Sequence, residues 1–232
     1  MDAELARFFT HWVPLLRGER GVSEVEGALG QSRSRPRDLG FYRTLMERNT
    51  ASILTALFPA TRAAFIAWAP GHWLRTVASY ERAHPASGCE PNEFGRYFPQ
   101  FVSYMRIIDG SLPAALEELA DYEWLSYALG AGIPAEASSQ PSPESYALRQ
   151  YDHDVPALAT EIQSGRVVSP ATQVVLVLYY RERDTGRARA LYPSRAAVLA
   201  LARCAGVAAP STDSEEALDA AERELTTLGV FG

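Results

Sequence analysis

The sequence predicts an α+β protein in which a helical N-terminal domain precedes a small β-then-α, winged-helix-like C-terminal domain. Apolar residues recur at helical spacing over about the first 130 residues, whereas VVLVLYYRE, residues 174–182, is a continuous β-branched and aromatic run typical of a buried strand. Between these regions, GAGIPAEASSQPSPES, residues 130–145, has the composition of a linker. We therefore predict domains at residues 1–130 and 148–232, joined by a linker at residues 131–147.

The N-terminal domain should consist of successive amphipathic helices. They are predicted at residues 2–17, 39–57, 59–70, 71–83, 92–104 and 112–130. Pro14 should bend or end the first helix, and Pro99 should break or kink the fifth, since proline cannot donate within a helix. Asn92 is the expected N-cap of that fifth helix. The glycine-rich residues 18–40 are predicted as a loop with room for one short helical turn.

The C-terminal domain should begin with two strands joined at DTG, residues 184–186, a hairpin turn. The second strand is RARALYP, and two helices follow, the later one after the cap-like Ser211-Thr212-Asp213. A strand pair beside helices exposes a sheet edge to which an extended peptide can add. A winged-helix fold with a protected edge agrees with the composition equally well. The residues assigned to peptide binding are Val177, Tyr179, Arg189 and Leu191.

The charge balance disfavours binding to duplex DNA. All 22 basic residues are arginine, and there are 28 acidic residues. The two parts of the chain, residues 1–150 and 151–232, each carry a net charge of −3, whereas duplex binding normally needs a positive face. The loop arginines Arg33, Arg35 and Arg37 form one local basic patch.

The sequence also predicts a cytoplasmic protein with no membrane association. Its N-terminus lacks the apolar run of a signal peptide, and no stretch reaches the roughly 20 apolar residues of a membrane span. Cys89 and Cys204 lie far apart without metal-type spacing, which favours two free thiols in a reducing compartment.

Few residues point to chemistry, so no metal, cofactor or catalytic residue is assigned to this chain. The sequence lacks a phosphate-binding glycine loop and a nucleophile-elbow motif. The segment Asp152-His153-Asp154 could hold a metal or form a solvated loop or edge, and we favour the latter. His84 is expected to be a packed or capping histidine.

Glu123 lies on the apolar stripe of the last N-terminal helix, where a buried carboxylate needs a partner. Arg43 is the expected partner, in an internal pair that fixes helix packing. A catalytic carboxylate is the alternative, although no second acid, base or nucleophile accompanies it. The stripe of Phe94, Phe98 and Phe101 is expected in the core, with other aromatic residues left exposed as a partner-binding surface.

An ordered series of short motifs resembles a known bacterial family. The series is Tyr42-Arg43, Ala56-Leu57-Phe58-Pro59, Tyr80, His84-Pro85, Phe94-Gly95, Phe98-Pro99-Gln100-Phe101, Leu112-Pro113 and Leu119-Ala120-Asp121-Tyr122-Glu123-Trp124. It resembles the proteins whose N-terminal domain was first catalogued as a DNA-binding domain and that accompany multinuclear non-haem iron-dependent oxidative enzymes. The resemblance covers about residues 5–130 well. SGRVVSPATQVVLVLYYRERD stands where the family usually carries Tyr-Pro and Trp-Arg.

The resemblance implies a non-catalytic subunit in the biosynthesis of ribosomal peptide natural products. A TIM-barrel enzyme would hold the iron, and this chain would form a heterodimer with it and present a Cys-containing precursor peptide through its C-terminal domain. The residues assigned to the partner interface or to structure are Tyr42, Arg43, Phe58, Pro59, Phe98, Glu123 and Trp124. A DNA-binding transcriptional regulator is the alternative, and a free-standing enzyme that uses Glu123, His84 or the Asp152/Asp154 pair is a third hypothesis.

Overall fold

The computed structural model describes residues 3–16, 19–31, 36–85, 94–132, 146–166, 168–207 and 214–231. The side chains of residues 16, 36–40, 42, 43, 46 and 47 lie outside this description. Over the described residues the chain is mixed α+β, with ten helices and one three-stranded antiparallel sheet, which confirms the predicted fold class at that level.

The helices and strands follow one another in a long helical series and then a mixed series. The helical series is α1 (Ala3–Leu16), α2 (Val22–Leu29), α3 (Pro36–Leu57), α4 (Pro59–Trp68), α5 (His72–Ala83), α6 (Phe98–Ile108) and α7 (Ala115–Ala131). The mixed series is β1 (Tyr146–His153), α8 (Val155–Gln163), β2 (Thr172–Arg181), β3 (Ala188–Leu191), α9 (Arg195–Cys204) and α10 (Glu215–Leu228).

Prolines mark helix starts in the helical series. Pro59 lies in the first turn of α4 and Pro99 in the first turn of α6, where the missing N–H has no intrahelical partner to lose. The predicted break at Pro99 is therefore wrong, because α6 begins at Phe98 instead of continuing from an earlier cap. Asn92 lies outside the described residues. Pro14 does not end α1, which continues to Leu16.

Residues 18–40 contain more helix than the sequence predicted. Val22–Leu29 form an eight-residue helix, and α3 already begins at Pro36. The glycines at both ends of α2 explain the error: Gly21 is its N-cap and Gly30, with φ of 92°, ends it. They delimit a short helix that contributes Val25 to a small core with Leu15.

The sheet has the order β1-β2-β3, so β2 is central and pairs antiparallel with both neighbours. Tyr151 of β1 lies opposite Val175, and Leu178 of β2 lies opposite Leu191. The sequence analysis predicted only two strands and missed both β1 and α8. β1 reads YALRQYDH, whose arginine, glutamine and aspartate obscure the alternating pattern by which half-buried strands are recognised.

The sheet packs between two helical layers. Residues from its first face, among them Ala147, Tyr151, Val177 and Tyr179, belong to the same buried core as helices α3 to α8. Residues from the opposite face, among them Leu178 and Tyr180, form a second core with α9 and α10. Alternate side chains along a strand point to opposite faces, so each strand joins the two cores.

The predicted linker lies mostly outside the described residues, since 133–145 are not described. Its last two residues, Tyr146 and Ala147, belong to β1. Because the first face of the sheet shares one core with the helices, contacts connect the two predicted domains directly. The division of the chain into domains stays a prediction.

Aromatic rings fill the centre of the helical core. The ring centroids of Phe58 and Phe98 are 4.6 Å apart, and the Tyr80 ring meets Phe94 and Phe98 edge to face at 5.2 Å. The Tyr80 hydroxyl donates to the backbone carbonyl of Phe94, which satisfies a buried polar group, and burial raises the Tyr80 pKa.

Gly95 follows Phe94 at the tightest point of this core. A Cβ atom at that position would lie 2.8 Å from Leu57 Cδ1 and 3.0 Å from Trp124 Cζ3. Glycine is therefore required here for close approach of the backbone to the Trp124 ring, and not for a special dihedral angle.

We predict that Gly95→Ala lowers the free energy of unfolding by about 1–3 kcal/mol, because the added methyl group overpacks the core beside Trp124. Gly110→Ala is the matched control, since nothing lies within 4 Å of a Cβ there. Urea titration followed by tryptophan fluorescence measures both. Equal losses in the two variants would contradict the packing argument.

Candidate functional site

Three of the four acidic side chains of helix α7 reach β1 or α4. Glu118 and Asp121 contact β1, whereas Glu123 contacts the start of α4. Residues three apart lie on the same helix face, and Glu123, two residues beyond Asp121, turns to another. We treat these contacts as the candidate functional site, because they include Glu123 and reach Asp152 and His153, which the sequence analysis singled out as candidates.

Glu123 binds the N-terminus of α4. Its Oε1 accepts from the Ala60 N–H at 2.7 Å, and its Oε2 accepts from the Thr61 N–H at 2.9 Å and the Thr61 hydroxyl at 2.7 Å. These amides are among those that a helix leaves without an intrahelical partner. Burial raises the pKa of the Glu123 carboxyl, and the hydrogen bonds from Thr61 and Ala60 oppose that rise.

Glu123 lies in the interior, as the sequence predicted, and its described partners lie at the start of α4. Its exposed fraction is 7%, and its described partners are two backbone amides and a hydroxyl. The predicted pairing with Arg43 stays a prediction, because the Arg43 side chain lies outside the described residues. The signal for the described partners was present at Pro59, because a proline at a helix start indicates N–H groups without an intrahelical partner one and two residues later. All of the described contacts of the Glu123 oxygens join α7 to α4.

We predict that Glu123→Gln lowers the free energy of unfolding by about 2–3 kcal/mol, because an amide cannot accept from all three buried donors. Glu117→Gln is the control on the same helix. Its carboxylate pairs with Arg106 at a partly exposed site, so we expect a loss below about 1 kcal/mol. Chemical denaturation of both variants checks the difference, and similar losses would refute the assignment.

A tyrosine pair joins α7 to the sheet through Asp121. The Tyr151 hydroxyl donates to Asp121 Oδ2 at 2.7 Å and lies 2.7 Å from the Tyr179 hydroxyl. Since Tyr151 uses its proton on the carboxylate, Tyr179 donates to Tyr151. Arg149 Nε lies 3.6 Å from the same carboxylate oxygen.

Burial raises the pKa of Asp121, and the Tyr151 hydrogen bond and the Arg149 charge oppose that rise. Burial also raises the pKa of both Tyr151 and Tyr179 well above the usual range. Both phenols therefore stay neutral at physiological pH and act as hydrogen-bond donors, which is a structural use of tyrosine.

Glu118 stabilises the end of β1. It accepts from the backbone N–H of Asp152 at 2.9 Å and of His153 at 3.1 Å, and its Oε2 lies 2.9 Å from His153 Nδ1. The pairing of β1 with β2 shifts register between Tyr151 and His153, so these contacts support an irregular strand end.

The predicted candidates Asp152, His153 and Asp154 are not brought to one point. Asp152 is exposed, His153 binds Glu118, and Asp154 caps α8 through the Ala157 N–H while it accepts from the Tyr192 hydroxyl. Among the described residues, no group of three or more His, Cys, Asp or Glu side chains is placed to hold a metal ion.

His84 is a packed histidine, as the sequence predicted. Its ring stacks on Tyr97 with centroids 5.3 Å apart and lies 5.0 Å from the Tyr80 ring. Cys204 is exposed at the end of α9, and Cys89 lies outside the described residues.

The four residues assigned to peptide binding divide into two pairs. Val177 and Tyr179 are fully buried on the central strand, in the core that faces α7, so the prediction that they line an exposed groove is wrong. The error follows from the missed strand β1, which pairs with the edge of β2 that was expected to be open. Arg189 and Leu191 lie on β3, where Arg189 is exposed and Leu191 packs against the second core.

The residues assigned to the partner interface or to structure lie mostly in the core. Phe58, Phe98 and Trp124 are at most 2% exposed, and Pro59 is exposed at the start of α4. The side chains of Tyr42 and Arg43 lie outside the described residues, and so do Arg33 and Arg35.

The sequence analysis expected exposed aromatic residues without naming them, and several apolar side chains of α1 and α6 do stay exposed. On α1 they are Leu5, Phe8 and Phe9; on α6 they are Tyr104, Ile107 and Ile108. Each set recurs at spacings of three and four, so each shares one helix face. On α6 the signal was readable, since these residues extend the apolar stripe beyond the face that Phe98 and Phe101 bury.

Neither a protein-family model nor a curated protein matches the chain. The family resemblance inferred from the motifs therefore stays a prediction. Among the described residues no single helix is long and apolar enough to cross a membrane, although the bent pair Arg48–Leu57 and Pro59–Trp68, broken at 101°, together reaches the length and composition for it.

We predict that Tyr151→Phe lowers the free energy of unfolding by about 1–3 kcal/mol, because it removes a donor from Asp121 and an acceptor from Tyr179. Tyr180→Phe is the matched control on the opposite face of the sheet, where no described hydrogen bond engages the hydroxyl, and we expect a loss below about 0.5 kcal/mol. Thermal or urea denaturation measures both. A larger loss in Tyr180→Phe would overturn the role given to this network.

Proposed function

We propose that the chain is a non-catalytic partner subunit that docks on a multinuclear non-haem iron oxidative enzyme. It binds a Cys-containing precursor peptide and presents it for modification in the biosynthesis of a ribosomal peptide natural product. The iron belongs to the TIM-barrel partner, with which this chain forms a cytoplasmic heterodimer. The helical part meets the enzyme, and the small winged-helix-like part recognises the peptide.

The observation that carries this proposal is how the reactive side chains are used. Glu123, Asp121 and Glu118 each accept buried or half-buried hydrogen bonds that hold helices and strands together. In this conformation these carboxyls connect helices and strands, which supports a structural role for them. Exposed apolar side chains on α1 and α6, by contrast, are typical of surfaces that bind other proteins.

The edge of β3 supports the peptide-binding part of the proposal. Within the described residues β3 pairs only with β2, so its outer edge presents backbone groups to which an extended peptide can add as a further strand. Arg189 lies on this strand about half exposed, 3.4 Å from Glu182, and is available to a peptide carboxylate.

The charges of α9 and α10 do not favour the DNA-binding alternative. Helix α10 carries five carboxylates and one arginine. Arg203 of α9 pairs with three of those carboxylates, Glu215, Asp219 and Glu222. A helix pair of this charge repels a phosphate backbone instead of displacing its counterions.

We expect the chain to co-elute with the iron enzyme encoded beside it when the two are co-expressed and separated by size exclusion at micromolar concentration. The purified chain alone should bind the precursor peptide in calorimetry but leave it unmodified. Separate elution of the two proteins, or modification of the peptide by the chain alone, would refute the proposal.

Arg189→Ala tests the β3 edge within this function. We expect a fewfold weaker binding of the precursor peptide, since a partly exposed ion pair contributes up to about 1 kcal/mol. Arg187→Ala, exposed beside the same hairpin, is the control and should leave the affinity unchanged. An equal effect of both substitutions would place the peptide elsewhere.

A further inference from the structure

Helices α5 and α6 run antiparallel, and we call the exposed surface between their outer flanks the α5–α6 groove. At one end, His72 Nδ1 at the start of α5 lies 3.4 Å from Asp109 Oδ2 just after α6. At the other end, the His84 ring stacks on Tyr97 just before α6. These two contacts fix the direction of both helices, which run side by side for about 16 Å.

The two walls of the groove differ in chemistry. The flank of α5 that faces α6 begins at His72 and continues, at spacings of three and four, with Arg75, Ser79 and Arg82. The Arg82 guanidinium donates to the Ser79 hydroxyl at 3.0 Å. Tyr104 and Ile108 of α6, and Tyr97 just before it, follow the spacing of Phe101. The Phe101 ring contacts the rings of Tyr80 and His84 on the α5 side. One wall is therefore basic and the other aromatic and apolar.

Both walls are open to solvent. Tyr97, Tyr104 and Ile108 are 45%, 56% and 61% exposed, and Arg75 and Arg82 are exposed as well. Neither arginine forms an ion pair with a described carboxylate; Arg75 Nε donates to the Gly71 carbonyl. Asp109 is the acidic group at the end of the groove, and it accepts from the Ser111 hydroxyl and N–H.

The charge of this region is opposite to that of the chain. The described residues 71–85 and 94–109, which form α5, α6 and their ends, contain four arginines, one glutamate and one aspartate, a net of +2, whereas the whole chain has a net charge of −6. Tyrosine and arginine are also the residues most enriched where proteins bind other proteins. The occupant must therefore combine an apolar face with acidic side chains.

We propose that the α5–α6 groove binds an acidic amphipathic helix of another polypeptide. Its apolar face packs on Tyr104 and Ile108, while its carboxylates pair with Arg75 and Arg82. A helix fits because a channel between two antiparallel helices accepts a third one by the same side-chain packing. This inference goes beyond the proposed function and does not require it, because the residues of the groove define the chemical character of the bound helix and not the protein to which that helix belongs.

The test uses the full chain and two fluorescein-labelled helical peptides of about 14 residues, about 21 Å as a helix. One peptide carries leucine on one face and glutamate beside it, and the other has lysine in place of every glutamate. We expect fluorescence anisotropy to show the glutamate peptide bound at least about tenfold more tightly, with an affinity that falls as salt rises. Equal affinities, or binding of neither peptide, overturn the proposal.

Reversing the charge of the two groove arginines tests whether the peptide binds in the groove. The double substitution Arg75→Glu and Arg82→Glu should reverse the preference so that the lysine peptide binds more tightly. The control, Arg187→Glu with Arg223→Glu, makes the same change in net charge at exposed positions far along the chain and should leave the preference intact. A reversal in both double variants would mean that only the overall charge matters, and the groove would be excluded.

A matched pair of substitutions tests the apolar wall. Ile108→Ser should weaken the glutamate peptide about tenfold. Leu74→Ser should leave the affinity unchanged, because Leu74 lies on the face of α5 that turns away from α6. Glu81 marks that face, since it accepts a hydrogen bond from Thr50 of α3. Both side chains are exposed, so neither substitution should unfold the chain, and a loss of peptide binding in Leu74→Ser alone would contradict the assignment.

Discussion

The buried carboxyl of Glu123 and the first amides of α4 satisfy one another, and neither group could remain in the interior alone. The start of α4 follows the fully buried ring of Phe58, so the first N–H groups of α4 lie where water cannot hydrogen-bond to them. Glu123 brings in an acceptor, and the positive end of the helix favours that acceptor. This single contact fixes the position of α7 relative to α4, and the rest of the fold is assembled on α7.

Helix α7 also positions the sheet. Asp121 and Glu118 leave the same helix toward β1, where they bind Tyr151 and the backbone of Asp152 and His153. The sheet in turn carries α9 and α10 on its other face. Polar contacts on α7 therefore specify how the layers fit, while the aromatic core supplies most of the apolar burial.

The sequence predicted those parts of the fold whose signals are local. Helices α4, α5 and α7 and strand β2 were recognisable because apolar spacing, prolines and β-branched residues act within a few positions. Strand β1 was not, because its inward face includes Arg149, whose partner Asp121 is 28 positions earlier. The partner of Glu123 was missed for the same reason, since Ala60 and Thr61 lie more than 60 residues away.

The same limit applies to the surfaces. The spacing of Tyr104 and Ile108 places them on an apolar stripe of α6, but their exposure depends on which other helices pack against α6, and those contacts are set by the tertiary structure. Helix α7 illustrates the opposite case, in which spacing along one helix decides contacts at both of its sides. Each residue advances a helix by about 100°. Loss of one residue between Asp121 and Glu123 would turn the two carboxyls out of phase, so that either the sheet or α4 could be held but not both. The length of α7 should therefore tolerate far less change than the loops around it.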